Sequence, residues 1–253
     1  MPFRADGEGY LHEATQERLD VFLDNAREIN LDAAVAIHTF APGHTPNEAL
    51  AELIAPYLGA DSTPRLLGCV TVNPLLDHTP ELDEMHRAAD EWDFRTVKLM
   101  AAGHQYHIDD PMVDPFMAAA RELNLVATIH SGGDYAHAAR IVRLAERHPD
   151  VPIVMDHMGF PDGVDEAIEG AARLPSIHLM TTILRFFSDD PDGAAPPQVR
   201  DAVERAGAEK VVFGSNQAEY RPAQVAAAIE RLDLGAEAEA LIFGENLKRV
   251  YGL

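Results

Sequence analysis

Short apolar segments alternate with longer amphipathic segments along almost the whole chain. The apolar segments are brief and rich in branched aliphatic residues, which predicts buried strands. The predicted strands are Ala33–His38, Leu66–Val72, Thr96–Met100, Leu125–His130, Ile153–His157, His178–Thr182 and Val211–Gly214. The predicted helices are Thr15–Asn30, Pro46–Tyr57, Pro80–Trp92, Pro111–Leu123, Tyr135–His148, Gly163–Leu174, Pro197–Ala206, Pro222–Leu232, Glu237–Leu241 and Asn246–Val250.

This alternation predicts the architecture. Strands joined by helices pair in parallel through right-handed crossovers. Strands this apolar are covered on both faces, and about seven such units in 253 residues favour a (β/α)8 TIM-barrel-like fold over an open sheet. No linker or shift in composition divides the chain, so we predict one α/β domain over residues 1–253.

The expected barrel lacks a strand at its beginning. A closed barrel needs eight strands, but the residues before Thr15 are polar and contain glycine, unlike a buried parallel strand. Three explanations stay open: the first strand is missing, an irregular segment at Pro2–Phe3 fills the gap, or the true start lies upstream of Met1. A missing strand would leave an unpaired edge, and such edges pair with other chains. We therefore predict a homo-oligomer.

Charge and cysteine content narrow the range of partners. The chain has 42 acidic and 20 basic residues, a net charge of −22, and so acidic a surface repels nucleic acids and anionic membranes. No apolar segment is long enough to span a bilayer, and the N-terminus does not resemble a signal peptide. The single cysteine, Cys69, allows no disulfide within the chain. We expect a cytoplasmic protein that binds a small-molecule substrate.

Polar residues at the ends of the predicted strands are the candidates for chemistry. His130 and His157 each close an apolar segment shortly before a glycine, and Lys98 and Asn216 lie at comparable places on two other strands. The C-terminal ends of parallel barrel strands meet at one mouth, where catalytic residues lie. A lysine in an apolar strand is costly unless it meets an anion, a partner or solvent. The alternative for Lys98 is an outward orientation, with its charge in water.

Four further residues are predicted to bind substrate. His38 and Asn73 lie at strand ends, His104 lies in the loop after the Lys98 strand, and Arg185 follows the strand that ends at Thr182. Loops after the strands form the mouth of a parallel barrel. A purely surface role is the alternative for His104 and Arg185.

Several segments, taken in order, resemble the amidohydrolase-related branch of the amidohydrolase superfamily, which comprises metal-dependent hydrolases with a TIM-barrel fold. These segments are Val97–Leu99, Asp109–Pro111, Ile129–Gly132, Val154–Gly159, Val212–Asn216 and Phe243–Leu253. Their order and spacing carry the resemblance, which covers about Thr15 to Leu253.

The resemblance implies a mononuclear divalent metal, usually zinc, at the barrel mouth. His130 would be a metal ligand, His157 would bind the substrate or act as acid or base, and position 216 would be the last-strand carboxylate that touches the metal. We also predict His157 as a second metal ligand, with help from Asn216, and we predict Lys98, His157 and Asn216 as the catalytic residues. Lys98 would face the pocket near the metal or a substrate carboxylate. Neutral imidazole is a good zinc ligand, and zinc lowers the pKa of bound water towards neutrality.

The chain departs from this family pattern at two places. The family's first strand ends in His-x-His or Glu-x-His, and no such motif precedes Thr15. Asn216 stands where the family has Asp, and an amide cannot act as a general base at ordinary pH. Two hypotheses follow. One is an active enzyme that hydrolyses, or as second choice decarboxylates, a small carbonyl or carboxylate substrate. The other is a non-catalytic barrel that acts as a binding or regulatory subunit.

Overall fold

The computed structural model describes residues 2–11, 14–38, 47–59, 61–183, 196–217 and 221–253. Eight parallel strands form one sheet in sequence order. They are β1 (Ala5–Leu11), β2 (Ala33–His38), β3 (Arg65–Val72), β4 (Thr96–Leu99), β5 (Val126–Ile129), β6 (Ile153–Met155), β7 (Ile177–Met180) and β8 (Val211–Val212). The backbone N–H groups of Gly7 and Tyr10 donate to the carbonyls of Phe213 and Gln217, at 2.9 and 2.8 Å. These bonds join β1 to the β8 segment, so the predicted (β/α)8 barrel is confirmed.

Helices follow the strands along the chain. They are α1 (Gln16–Glu28), α2 (Asn47–Ile54), α3 (His78–Asp90), α4 (Ala101–His104), α5 (Asp114–Glu122), α6 (Ala138–Arg147), α7 (Val164–Arg173), α8 (Pro197–Ala206), α9 (Pro222–Glu230), α10 (Ala236–Ala240) and α11 (Asn246–Tyr251). Ordinary helix-start residues open three of them: Thr15 caps α1 through its side chain, and proline opens α8 and α9. Within the described ranges, no helix has the length and apolarity needed to cross a membrane.

The first strand is present, which corrects the expectation that it is missing. β1 pairs with β2, and its register shifts between Asp6 and Gly9, so the strand is irregular. Glycine is required by close packing: a Cβ at Gly9 would lie 2.4 Å from Cε2 of Phe22, and one at Gly7 would lie 2.8 Å from Cε of Met180. Because β1 closes the barrel, the unpaired edge is gone. The homo-oligomer stays a prediction that has lost this argument.

Two layers of side chains fill the barrel interior. The lower layer, towards the N-terminal ends of the strands, is apolar and consists of Ala33, Val35, Leu67, Val126, Val154 and Val212. Leu247 and Tyr251 of α11 pack against this layer. The upper layer, beneath the C-terminal mouth, consists of Glu8, Lys98, His130, Asp156 and His157. The barrel therefore carries its charged groups at one end, on top of an apolar core.

Candidate active site at the barrel mouth

The two strand-end histidines lie in direct contact. β5 and β6 pair in parallel with Ile129 opposite Met155, so the residues that follow emerge side by side. Nε2 of His157 lies 3.0 Å from Nδ1 of His130, and the rings meet edge to face with centroids 4.7 Å apart. The sequence-based expectation that both imidazoles share one end of the sheet agrees with this placement.

A left-handed turn after β6 aims two neighbouring side chains into the mouth. His157, Met158 and Gly159 all have positive φ, at 58°, 48° and 79°. Such angles are unfavourable for residues other than glycine and persist only where the surroundings hold them. Ser131 supplies part of that hold, because its hydroxyl donates to the carbonyl of Asp156 and accepts from the N–H of Gly159 at 2.9 Å. The turn places Asp156 and His157 in the site together.

Thr182 orients the His157 ring. Its Oγ1 accepts the backbone N–H of His157 at 3.1 Å and lies 2.7 Å from Nδ1 of the same residue. One hydroxyl thus holds both the main chain and the ring. The other ring nitrogen, Nε2, faces His130. Second contacts of this kind fix the tautomer and orientation of metal-binding histidines.

Lys98 points inward and contacts two carboxylates. Its ammonium, on β4, donates to Oε1 of Glu8 from β1 and to Oδ2 of Asp156 from β6. All three side chains are 0% exposed. The hydroxyl of Tyr10 also donates to Oε1 of Glu8, at 3.0 Å. The alternative of an outward Lys98 is therefore wrong, and its immediate partners are protein carboxylates.

Two carboxylate oxygens of this cluster lack a hydrogen-bond partner among the described residues. They are Oε2 of Glu8 and Oδ1 of Asp156. Buried polar atoms are almost always paired, so these two oxygens indicate a place for a proton shared between the acids, a cation, a water molecule or a substrate group.

The titration of the site follows from burial and charge. Burial, helped by the charge of Lys98, lowers the pKa of His130 to about 4. Burial and the adjacent His130 lower the pKa of His157 to about 3. Both imidazoles are therefore neutral at pH 7, the form in which histidine binds metals.

The two carboxyl groups titrate in opposite directions. Burial opposes ionisation of Glu8, but the charge of Lys98 outweighs it and lowers the pKa of Glu8 to about 2. Burial and the charge of Glu8 raise the pKa of Asp156 well above its usual range. Burial alone would lower the pKa of Lys98, but Asp156 and Glu8 raise it well above its usual range. Lys98 therefore favours the ionised form of Glu8, and burial beside Glu8 favours the protonated form of Asp156.

The donor set fits a divalent metal ion. His130, Asp156 and His157 each offer a ligand atom, and these atoms all lie within 4.8 Å of one another. Two neutral imidazoles and a carboxylate are an accepted set for zinc, manganese and iron. Oδ1 of Asp156, which has no partner, is the oxygen available to such an ion. Binding would favour the ionised form of Asp156.

Asn216 lies at the seam between β8 and β1. It is 3% exposed and has a φ of 55°. The preceding residue, Ser215, donates its N–H to Oδ1 of Asp6 at 3.0 Å and its hydroxyl to Oδ2. Burial raises the pKa of Asp6 to about 7. The metal and catalytic roles of Asn216 stay predictions.

Three of the four predicted substrate-binding residues lie at or after the C-terminal ends of β2, β3 and β4. His38 ends β2 and is 9% exposed. His104 ends α4 and is also 9% exposed. Asn73 shapes the turn after β3, since its Oδ1 accepts from the N–H of Leu75 at 3.1 Å. Arg185 lies outside the described residues. Substrate contact stays a prediction for all four.

Sequence reasoning missed three residues of the site. Glu8 lies on the strand that was not recognised, although the alternation of acids and glycines before Tyr10 is a weak strand signal. Asp156 precedes His157 directly, and the sequence pattern does not separate it from the motif around it. Thr182 closes a predicted strand, but its bond to His157 depends on the barrel register.

The sequence of β1 can be compared with the first-strand motif that the resemblance calls for. Where the resemblance calls for His-x-His or Glu-x-His, β1 carries Glu8–Gly9–Tyr10. Glu8 faces the site, and a tyrosine stands two residues after it.

A family model described as amidohydrolase matches residues 40–253. The chain belongs to the amidohydrolase family. The resemblance drawn from the sequence is therefore confirmed. No curated protein sequence matches this chain.

Solved structures share the fold of this chain over nearly its full length. An uncharacterised TIM-barrel protein from Bordetella bronchiseptica has a TM-score of 0.80 and 15% identity, over 98% of each chain. A probable 2-pyrone-4,6-dicarboxylic acid hydrolase from Acinetobacter baumannii, with citric acid bound, has a TM-score of 0.73 and 15% identity, over 99% of each.

A third structure is a 5-carboxyvanillate decarboxylase from Novosphingobium aromaticivorans, complexed with manganese and 4-hydroxy-3-methoxy-5-nitrobenzoic acid. Its TM-score is 0.68 and its identity 16%, over 100% of this chain and 96% of that chain. At such identities the likeness establishes the fold alone. The comparisons do not favour the hypothesis of a non-catalytic barrel.

Proposed function

We propose that this amidohydrolase uses one divalent cation at the barrel mouth to hydrolyse a small carbonyl compound that carries a carboxylate. The observation that carries the proposal is the cluster of His130, Asp156 and His157. The unpaired buried oxygens beside it supply a reason for a cation to bind. The carboxylate in the substrate is supported by two similar structures, whose bound molecules are carboxylic acids.

The chain's own residues have separable roles in this reaction. His130, His157 and Asp156 would hold the ion, and Thr182 would keep His157 in the orientation it has now. A bound divalent ion polarises a carbonyl oxygen and lowers the pKa of bound water to near 7. That effect reduces the need for a strong base, so the amide of Asn216 is compatible with hydrolysis near neutral pH.

Decarboxylation is the second candidate. The manganese-containing decarboxylase among the similar structures favours it. The bond-breaking step needs no attacking water, so the missing carboxylate at Asn216 does not hinder that step. Both candidates share a carboxylate substrate, and they differ in whether carbon dioxide leaves.

Metal binding and product analysis test the proposal together. The protein is stripped with a chelator, reloaded with manganese or zinc, and assayed on lactone dicarboxylates and hydroxybenzoates. Hydrolysis is read as acid release, and decarboxylation as carbon dioxide. We expect turnover only after reloading, and His130→Ala or His157→Ala should weaken metal binding at least about 100-fold.

The matched control is His86→Ala, because His86 lies on α3, outside the cluster, and its loss should leave metal affinity unchanged. A reloaded wild-type protein that binds no divalent metal at micromolar concentration would overturn the metal-assisted proposal. Release of carbon dioxide without hydrolysis would replace the first candidate by the second.

A further inference from the structure

Glu8, Lys98 and Asp156 form a closed unit in the upper layer, which we call the buried triad. The two acids come from β1 and β6, and both reach the ammonium of Lys98 from β4. Each of the three side chains is 0% exposed. A buried pair of acids with one cation between them has the same electrostatic form as a metal site, since burial of carboxylates is tolerated only beside a positive charge.

The atoms around the ammonium are hard oxygen donors. Oε1 of Glu8 and Oδ2 of Asp156 accept from it, and the hydroxyl of Tyr10 lies 3.0 Å from the same Oε1. The second oxygen of each acid has no hydrogen-bond partner among the described residues. Manganese, magnesium and calcium ions prefer oxygen ligands of this kind.

We infer that the Lys98 ammonium is a built-in cation at a position that a divalent metal ion would otherwise occupy. The triad thus keeps two acids buried in the mouth without a second metal ion. Lys98 is a positioning residue, because it acts on Glu8 and Asp156 and all of its charge is engaged by them. The inference rests on the triad and holds whatever reaction the site performs.

The experiment counts bound metal when the lysine is removed. Wild type and Lys98→Ala are stripped of metal and dialysed against manganese chloride, and bound manganese is measured by elemental analysis. We expect Lys98→Ala to bind one equivalent more than wild type. Manganese should also raise its unfolding temperature by more than it raises that of wild type, since a ligand that binds only the folded state stabilises it.

Two controls separate this outcome from nonspecific binding. Lys248→Ala removes an exposed lysine of α11, and its manganese count should equal that of wild type. The double variant Glu8→Gln, Lys98→Ala removes an acid together with the lysine, and it should lose the extra equivalent. Equal counts for Lys98→Ala and wild type would overturn the inference, as would an extra equivalent in the double variant.

Loss of Lys98 is expected to weaken folding, so recovery by metal is a second readout. Lys98→Met retains the volume of the side-chain stem and is measured in parallel. Native near-ultraviolet circular dichroism that returns on addition of manganese supports the inference. Failure of both single variants to regain native structure with manganese contradicts it. The amount of manganese bound by wild type tests the proposed metal-assisted function. The difference in bound manganese between Lys98→Ala and wild type tests the inference about the built-in cation.

Discussion

The lower and upper layers of the barrel interior are built by the same strands in opposite ways. On β5 and β6 the lower layer takes Val126 and Val154, while His130 and Asp156 follow at the upper ends of the same two strands. The lower layer is stabilised by removal of apolar surface from water, which is non-directional. The upper layer depends on specific partners, because an unpaired buried charge is costly. The lower layer therefore supports the fold, and the upper layer can be altered in function by single substitutions.

The largest expected effect comes from a substitution that breaks the charge balance of the upper layer. Lys98→Met leaves Glu8 and Asp156 buried without their cation, and removal of one partner of a buried pair costs about 3–5 kcal/mol. Chemical denaturation of the metal-free protein measures this loss of unfolding free energy. A loss below about 1 kcal/mol would mean that water reaches the triad, and the contrast between the layers would fail.

A substitution in the lower layer should act on stability alone. Leu67 is 1% exposed, and Leu67→Ala leaves a cavity that costs about 2–5 kcal/mol. Manganese affinity, measured by titration calorimetry, should stay within about twofold of wild type because the ligands lie in the other layer. A tenfold change in affinity would show that the two layers are coupled.

The free energy of unfolding should depend on pH through Asp6, which lies at the seam between β1 and β8. Burial raises the pKa of Asp6 from its ordinary value of 3.8 to about 7 in the fold. At pH values between these two, the folded state therefore keeps a proton that the unfolded state has released. The contribution of Asp6 to the free energy of unfolding is therefore fully present at low pH. It falls as pH rises towards 7, by roughly 2–3 kcal/mol between pH 5 and pH 7.

The variant Asp6→Asn tests this seam, because the amide cannot titrate and still bonds to Ser215. Unfolding midpoints of wild type and variant at several pH values give the difference between them. We expect the variant to gain stability relative to wild type as pH rises. A difference that does not vary with pH would show that Asp6 stays ionised in the fold.

The smallest effect concerns orientation in the upper layer. Thr182→Val removes the hydroxyl that holds the ring and main chain of His157. Loss of such a contact lowers metal affinity about 10-fold or more, and Thr182→Ser should restore it. Calorimetry with manganese measures the effect. Equal affinities for the serine and valine variants would assign Thr182 a packing role only.

The sequence predicts the apolar parts of the barrel better than its charged parts. Seven strands were predicted within a few residues because their side chains are apolar on both faces, and apolar pattern is visible in sequence. The sequence pattern does not predict β1, because its residues suit contacts with distant parts of the chain. Gly9 admits the ring of Phe22, Glu8 meets a lysine 90 residues away, and Asp6 meets a serine 209 residues away.

The residues of the site also form two groups, those that the sequence predicts and those that only the tertiary structure identifies. The chain's sequence determined the barrel, the family and the pair His130 and His157, since strand-end positions follow from the alternation of strands and helices. Only the tertiary structure decided that Lys98 faces inward and that its partners are Glu8 and Asp156. The physical reason is that apolar burial is a property of each segment, whereas charge pairing depends on which segments the barrel brings together.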